Sequence, residues 1–367
     1  MFINPLLLLT IVSLALLSFY YTYFFLKLNT YKTSVSTFSG PVSIIVCAKN
    51  EFQNLKDKLP VILNQDYPNY EVILVNDQSV DDTAILLKEF EKQYPNLVVV
   101  TIEKHINQRP GKKLALTLGI KTAKHEYLLL TDADCLPNSK NWALQMCNNF
   151  NTADIVLGYG GYEKKNGLLN KLIRFDTFNV AQQYLSYALV GQTYMGVGRN
   201  MAYKKSLFFE NKGFANHLHI PSGDDDLFIQ EIATKNNVSI EITEQAHTTS
   251  AVIEKWGEWA YQKRRHITTA PLYKTKFKVL LALYPYAQFL FWTSLLLLFL
   301  LKAPLLLCTI LIGVKIFLSY LVNYKAMKAL KVLDLYWIHP VYEIVYLCIQ
   351  GIFVLLNIIN KPKKWSR

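Results

Sequence analysis

A chain of 367 residues, 51% hydrophobic and with positive mean hydropathy, is too apolar for an ordinary soluble domain and too long for a bare membrane helix. Its net charge of +12 lacks the basic-aromatic patterns of RNA or DNA binding, so nucleic acid is excluded as a partner. Five cysteines (Cys47, Cys135, Cys147, Cys308, Cys348) show neither CxxC nor zinc-ligand spacing and read as reduced thiols.

Residues 4–26 form an uncharged apolar run long enough to cross a bilayer. Bulky Tyr20, Tyr21, Tyr23, Phe24 and Phe25 stand where a cleaved signal would need small residues, so 1–30 is expected to be an uncleaved anchor. Lys27 and Lys32 would hold its end in the cytoplasm, making this a multi-pass cell-membrane protein with a cytoplasmic catalytic domain.

The middle alternates strand and helix. Residues 42–48 (VSIIVCA) form a β-branched run suited to burial on both faces. Helical spacing of Leu55, Leu59, Ile62 and Leu63 follows, then a strand over 71–75 and a helix capped by Asp81 and running to about Tyr94. Strand 97–102, helix 113–123 and strand 126–131 continue the pattern, and Met201–Tyr203 makes a later strand. This order predicts an α/β, Rossmann-like domain with a mostly parallel sheet, whose ligands bind beyond the strands' carboxyl ends.

Those ends carry Ala48-Lys49-Asn50-Glu51, Asn76-Asp77 and Asp132-Ala133-Asp134. An Asp-x-Asp pair suits a hard divalent cation, which would bridge a diphosphate. Any one of these acids alone is as well explained by helix capping or a loop turn. Arg109-Pro110-Gly111-Lys112-Lys113 before a helix suits an anion, or is a solvated basic turn. Ser222-Gly223-Asp224-Asp225-Asp226-Leu227, before a helix expected over 226–236, crowds three carboxylates whose pKa values must be perturbed.

SIIVCAKNEFQNL at 43–55, EVILVNDQSVDDT at 71–83 and LLLTDADCLP at 128–137 resemble the nucleotide-sugar domain of family 2 glycosyltransferases. These are inverting enzymes of GT-A fold that include cellulose, chitin and hyaluronan synthases. The resemblance spans about 40–270 and implies a GT-A domain over 40–245. It further implies transfer of a hexose from a nucleotide sugar, UDP by default and GDP as the alternative, to a glycan or lipid-linked acceptor. By it Ala48, Asn50, Glu51, Asp77, Lys112, Asp132, Gln262 and Arg265 bind the donor, while Asp132 and Asp134 hold Mg²⁺ or Mn²⁺. Aligned on Leu227, the catalytic base is Asp224, with Asp225 as the alternative register; Gly223 replaces the usual Glu. Gly196–Tyr203 resembles the acceptor-side segment, or is a plain turn.

Trp256 to His266 resembles the family's QxxRW motif, with Gln262 and Arg265 in place and His266 for Trp, and makes 246–277 an interfacial segment. That exchange points to short products over a long polymer. His247 reads as structural in preference to metal-binding. The rival function is a non-catalytic membrane scaffold or nucleotide-binding subunit.

Apolar segments at roughly 279–301, 304–323 and 338–359 make 278–360 a transmembrane and interfacial region. Four full spans would put Lys361, Lys363, Lys364 and Arg367 outside, against the positive-inside bias. One segment is therefore expected to be re-entrant or to lie along the interface. Residues 279–290, broken by Pro285, and 338–343 are the candidates.

Overall fold

The computed structural model describes residues 5–33, 37–103, 111–220 and 222–362. Strands β1 (Val42–Ala48), β2 (Tyr70–Asp77), β3 (Leu97–Ile102) and β4 (Tyr127–Asp132) pair in parallel in the order β3-β2-β1-β4. The continuous apolar runs of β1, β2 and β4 are explained by cover on both faces. On one side Ile44, Val46 and Leu74 pack with Leu55, Leu59 and Trp142. On the other, Ile45, Ile73 and Val75 pack with Leu116, Ile120 and the helix Leu168–Leu189. Gly119 lets its helix approach this sheet, since a Cβ there would stand 2.8 Å from Ile45.

Short strands β5 (Cys135–Pro137), β6 (Ile155–Gly158), β7 (Gly160–Tyr162), β8 (Met201–Lys204), β9 (Val238–Glu241) and β10 (Thr248–Ser250) complete the domain. The large sheet runs β3-β2-β1-β4-β8-β6-β9, with β8 antiparallel to both neighbours, and β5-β10-β7 form a small second sheet. The sheet is thus mixed and mostly parallel, as expected. Register then sets the site. Cys47 stands opposite Val75 and Asp132, and Ala48 opposite Asn76, so three strands deliver their polar ends level at one edge.

Some boundaries differ from expectation. The helix after the acidic triplet ends at Ile232, not 236. Asp82, not Asp81, flanks helix Thr83–Gln93; the Asp81 carboxylate accepts the N–H groups of Thr83 and Phe52, tying two loops together.

Among the described residues, four helices are long and apolar enough to cross a membrane: Pro5–Thr30, Thr275–Leu300, Leu305–Ala329 and Leu333–Ile359. The first and second run antiparallel, held by Thr10 Oγ1 donating to Ser294 Oγ (2.9 Å) and Tyr20 OH donating to the Leu280 carbonyl (2.7 Å). Such bonds satisfy polar groups where no water is present. The helix expected to break at Pro285 continues through it, because a proline removes one N–H and packing against Pro5–Thr30 holds the rest.

Candidate active site

Asp77, at the end of β2, is 1% exposed, and neither carboxylate oxygen accepts a hydrogen bond among the described residues. Burial raises its pKa, and Lys49 Nζ at 3.9 Å offsets part of that. A buried unbonded carboxylate costs free energy unless a ligand satisfies it. Beside it, Asn50 and Gln78 both sit at φ 55°. Asn50 donates its backbone N–H to Ser79 Oγ (2.9 Å), and its Oδ1 accepts the Val80 N–H (2.8 Å), so this residue locks the loops after β1 and β2 together. Glu51 accepts Asn54 Nδ2 at 2.6 Å, and Ala48 is buried at the tip of β1.

Asp132 ends β4. One carboxylate oxygen each from Asp132 and Asp134 and the Cys135 sulfur lie within 4.8 Å of one another. The Asp134 carbonyl is anchored by Lys58 Nζ at 2.5 Å. Burial, then Asp134 and Asp132, push the Cys135 thiol well up, and it shares a 3.2 Å hydrogen bond with Ser250 Oγ. A neutral thiol is a poor ligand, which leaves a hard oxygen set suited to Mg²⁺ or Mn²⁺. Arg199 closes this side, donating to Ser250 Oγ (3.4 Å) and standing 4.9 Å over the Tyr162 ring.

Lys112 joins the two acidic groups. Its Nζ lies 2.8 Å from Asp132 Oδ1 and 3.0 Å from Asp224 Oδ2. Burial works to lower its pKa, but Asp132, Asp224 and Asp225 overcome this and raise it well above the ordinary lysine value. Gly198 makes the room: a Cβ there would come within 2.9 Å of the ammonium. Arg109 and Pro110 of the same motif lie outside the described residues.

The acidic triplet has three distinct settings. Asp224 is buried and lines the pocket with Cys47, Thr131, Asp132, Lys112 and Gly198. Gly223 before it adopts φ 103°, a conformation open to glycine, which explains its departure from the family's Glu. Asp225 accepts the N–H groups of Gly198 (3.0 Å) and Asp226 (2.8 Å). Burial, then Asp224 and Asp226, push its pKa to about 7. Asp226 is a clamp, accepting Thr269 Oγ1 (2.5 Å), Tyr273 OH (2.7 Å) and the Leu227 N–H (2.7 Å).

Helix Trp256–Ile267 covers the cleft. Arg265 donates to Ser222 Oγ (3.2 Å) and contacts His266 Nε2 (3.3 Å), while Gln262 Oε1 accepts Tyr162 OH (3.3 Å). Cys47 lines the pocket with Asp132 and Asp224; burial and the charges of Asp132, Asp224 and Asp77 push its thiol up to about 12, against the pull of Lys112. His247 is buried, pairs with the Ile242 carbonyl (3.0 Å) and is held neutral by burial at about 4, so it is structural.

The sequence motifs held Asp77, Lys112, Asp132, Asp134, Asp224, Gln262 and Arg265. They did not single out Arg199 or Tyr162; the one signal for Arg199 was its place in the Gly196–Tyr203 segment.

Residues 43–210 match the family model described as Glycosyl transferase family 2. The chain is 34% identical over 117 residues to the poly-beta-1,6-N-acetyl-D-glucosamine synthase of Staphylococcus epidermidis, covering 30% of this chain and 27% of that protein. It is 30% identical over 192 residues to the poly(ribitol-phosphate) beta-glucosyltransferase of Bacillus spizizenii, covering 51% of this chain and 28% of that protein. The chain therefore spans about a quarter of the length of these curated relatives. In fold it is similar to the mannosyltransferase PcManGT from Pyrobaculum calidifontis, solved in complex with GDP-Man and Mn²⁺. That match has a TM-score of 0.57 and 19% identity, and covers 93% of this chain and 98% of the other.

Proposed function

The chain carries a family 2 glycosyltransferase domain over residues 43–210, and on that premise we propose that it is an inverting, divalent-metal-dependent hexosyltransferase. It moves a sugar from a nucleotide-sugar donor to a glycan or lipid-linked acceptor at the cytoplasmic face of the cell membrane. The observation that carries the reading is the Lys112 ammonium bridging Asp132 and Asp224. It brings the Asp-x-Asp tip and the later acidic loop within reach of one ligand.

Asp77 accepts hydrogen bonds from the base or ribose, which its unbonded oxygens are built to do. Asp132 and Asp134 would hold the cation, which would supply positive charge against the departing diphosphate. Lys112 and Arg265 add positive charge at the same end of the cleft. Asp224 takes the proton of the acceptor hydroxyl as that oxygen attacks the anomeric carbon. The bond from that carbon to the diphosphate oxygen breaks on the opposite face, and configuration inverts. Asp225 accepts two backbone N–H groups and fixes the loop on which Asp224 rides. His266, smaller than the indole it replaces, gives a lesser stacking surface for a growing glycan, which favours one or few transfers.

Detergent-solubilised protein incubated with UDP- and GDP-sugars, Mn²⁺ or Mg²⁺, and lipid or glycan acceptors tests this. One donor should release its nucleoside diphosphate, and chelation should stop the release. Silence across the whole panel contradicts the reading.

A further inference from the structure

Helix Leu333–Ile359 has the length and composition of a membrane span, yet both its ends grip the catalytic domain. At its start, Asp334 takes a two-pronged ion pair from Arg174 (2.8 and 2.6 Å) and a third contact from Lys164 (3.2 Å). Arg174 belongs to helix Leu168–Leu189, which packs under the sheet. Midway, Tyr342 meets Phe175 in a tilted contact at 5.5 Å, and Tyr346 OH donates to Asp176, which also pairs with Lys263 (2.8 Å). At its end, Phe353 meets Trp259 at 5.6 Å. Asn357 Oδ1 accepts Arg264 Nε (3.0 Å), its Nδ2 donates to the Arg264 carbonyl (2.8 Å), and the Asn360 carbonyl also accepts from Arg264. Arg264 is next in sequence to Arg265, which reaches the acidic loop through Ser222.

The 21 residues from His339 to Ile359 measure about 31 Å as an α-helix, close to the hydrocarbon thickness of a bilayer. A spanning helix would carry Asn357 to the far leaflet. Contact with the cleft-covering helix forbids that while the catalytic domain stays in water. The side chains divide accordingly. His339, Tyr342, Tyr346, Phe353 and Asn357 form the buried stripe, at helical spacing. Val341, Ile344, Ile352, Leu355, Ile358 and Ile359 stay exposed. Trp337 is exposed at one end, and the basic residues Lys361, Lys363, Lys364 and Arg367 follow the other in the sequence.

We propose that helix His339–Ile359 does not cross the bilayer. It lies in the plane of the leaflet that faces the catalytic domain, with its exposed apolar face in the acyl–headgroup boundary. The chain then crosses the membrane three times, with Asn360 and Lys361 on the side of the catalytic domain, in keeping with the positive-inside bias. The occupant of the face is lipid, because the face continues from the membrane helices: Glu343 pairs with buried Lys315 of helix Leu305–Ala329, and Ser319 of that helix donates to Glu343 (2.9 Å). The proposal holds whether or not the sugar-transfer reading does.

The full chain in phosphatidylcholine–phosphatidylglycerol vesicles is tested with Cys348→Ser, which removes the exposed cysteine. Spin labels go at Val341→Cys, Leu355→Cys and Ile359→Cys, with depth read by oxygen and nickel accessibility. All three should lie at one shallow level, roughly 5–10 Å below the headgroups. Lys361→Cys should react with an impermeant maleimide from the same side as Lys88→Cys in the catalytic domain. Labels that differ in depth by more than about half the ~30 Å hydrocarbon core, or maleimide reaction from opposite sides, overturn the proposal. Strong spin–spin broadening at Leu355→Cys, the mark of a second copy on this face, overturns the lipid assignment.

Discussion

Lys112 bridges two carboxylates that would otherwise repel, and in the proposed reaction it meets the donor diphosphate. Lys112→Gln keeps the side chain's reach and removes its charge. Donor KM should rise and kcat fall, a combined loss of about 100-fold in kcat/KM, read by steady-state transfer kinetics. Gly198→Ala acts on the same group by crowding the ammonium at 2.9 Å. It should lower transfer by about 10–100-fold while leaving the thermal midpoint nearly unchanged. The sequence showed that Lys112 precedes a helix beside a glycine. It did not show the ammonium between Asp132 and Asp224, because the three residues come from separate elements and only the sheet register and the Gly198 turn bring them together. Arg199 and Tyr162 were harder still to foresee. Each is a single residue in a short segment, and their meeting depends on the small β5-β10-β7 sheet.

The elements differ in how plainly their residues announce them. Strands β1 to β4 read directly, since burial on both faces demands unbroken apolar runs. Helix Leu168–Leu189 did not: it is wrapped by the sheet on one side and membrane helices on the other, so its apolar residues follow no single stripe. Strands of three or four residues carry too little alternation to detect. The acidic loop and the cleft-covering segment are coupled through Asp226. Tyr273→Phe deletes one of the two hydroxyls on that buried carboxylate and should cost ~1–3 kcal/mol, measured as a lower unfolding midpoint in detergent. The neighbouring Asp225 supplies a pH signature. Its folded pKa of about 7 lies above that of an ordinary carboxylate, so the native state holds a proton that the unfolded chain has released between about pH 4 and 7. This contribution to stability is present below that window and is lost as pH rises through it. Asp225→Asn should flatten the fall in thermal midpoint between pH 5 and 7; an unchanged slope would refute the assignment.

For the whole molecule, the sequence pointed to a membrane protein through its apolar segments, and its charge balance led to the expectation that one segment is re-entrant or interfacial. It pointed first to Pro285, where the helix proves continuous, and also to 338–343, the start of the helix bound to the catalytic domain at both ends. Hydropathy reports composition and length, not what a helix leans against, so the proposed in-plane helix is argued from packing. The central claim concerns convergence: carboxylates from β2, β4 and the loop before Asp226 serve one nucleotide sugar. Asp134→Asn and Asp224→Asn, assayed side by side for donor binding and sugar transfer, test it most directly. Both variants should lose transfer by at least ~100-fold. Asp134→Asn should also lose metal-dependent donor binding, and Asp224→Asn should retain it. Transfer at the wild-type rate by either variant would contradict the account.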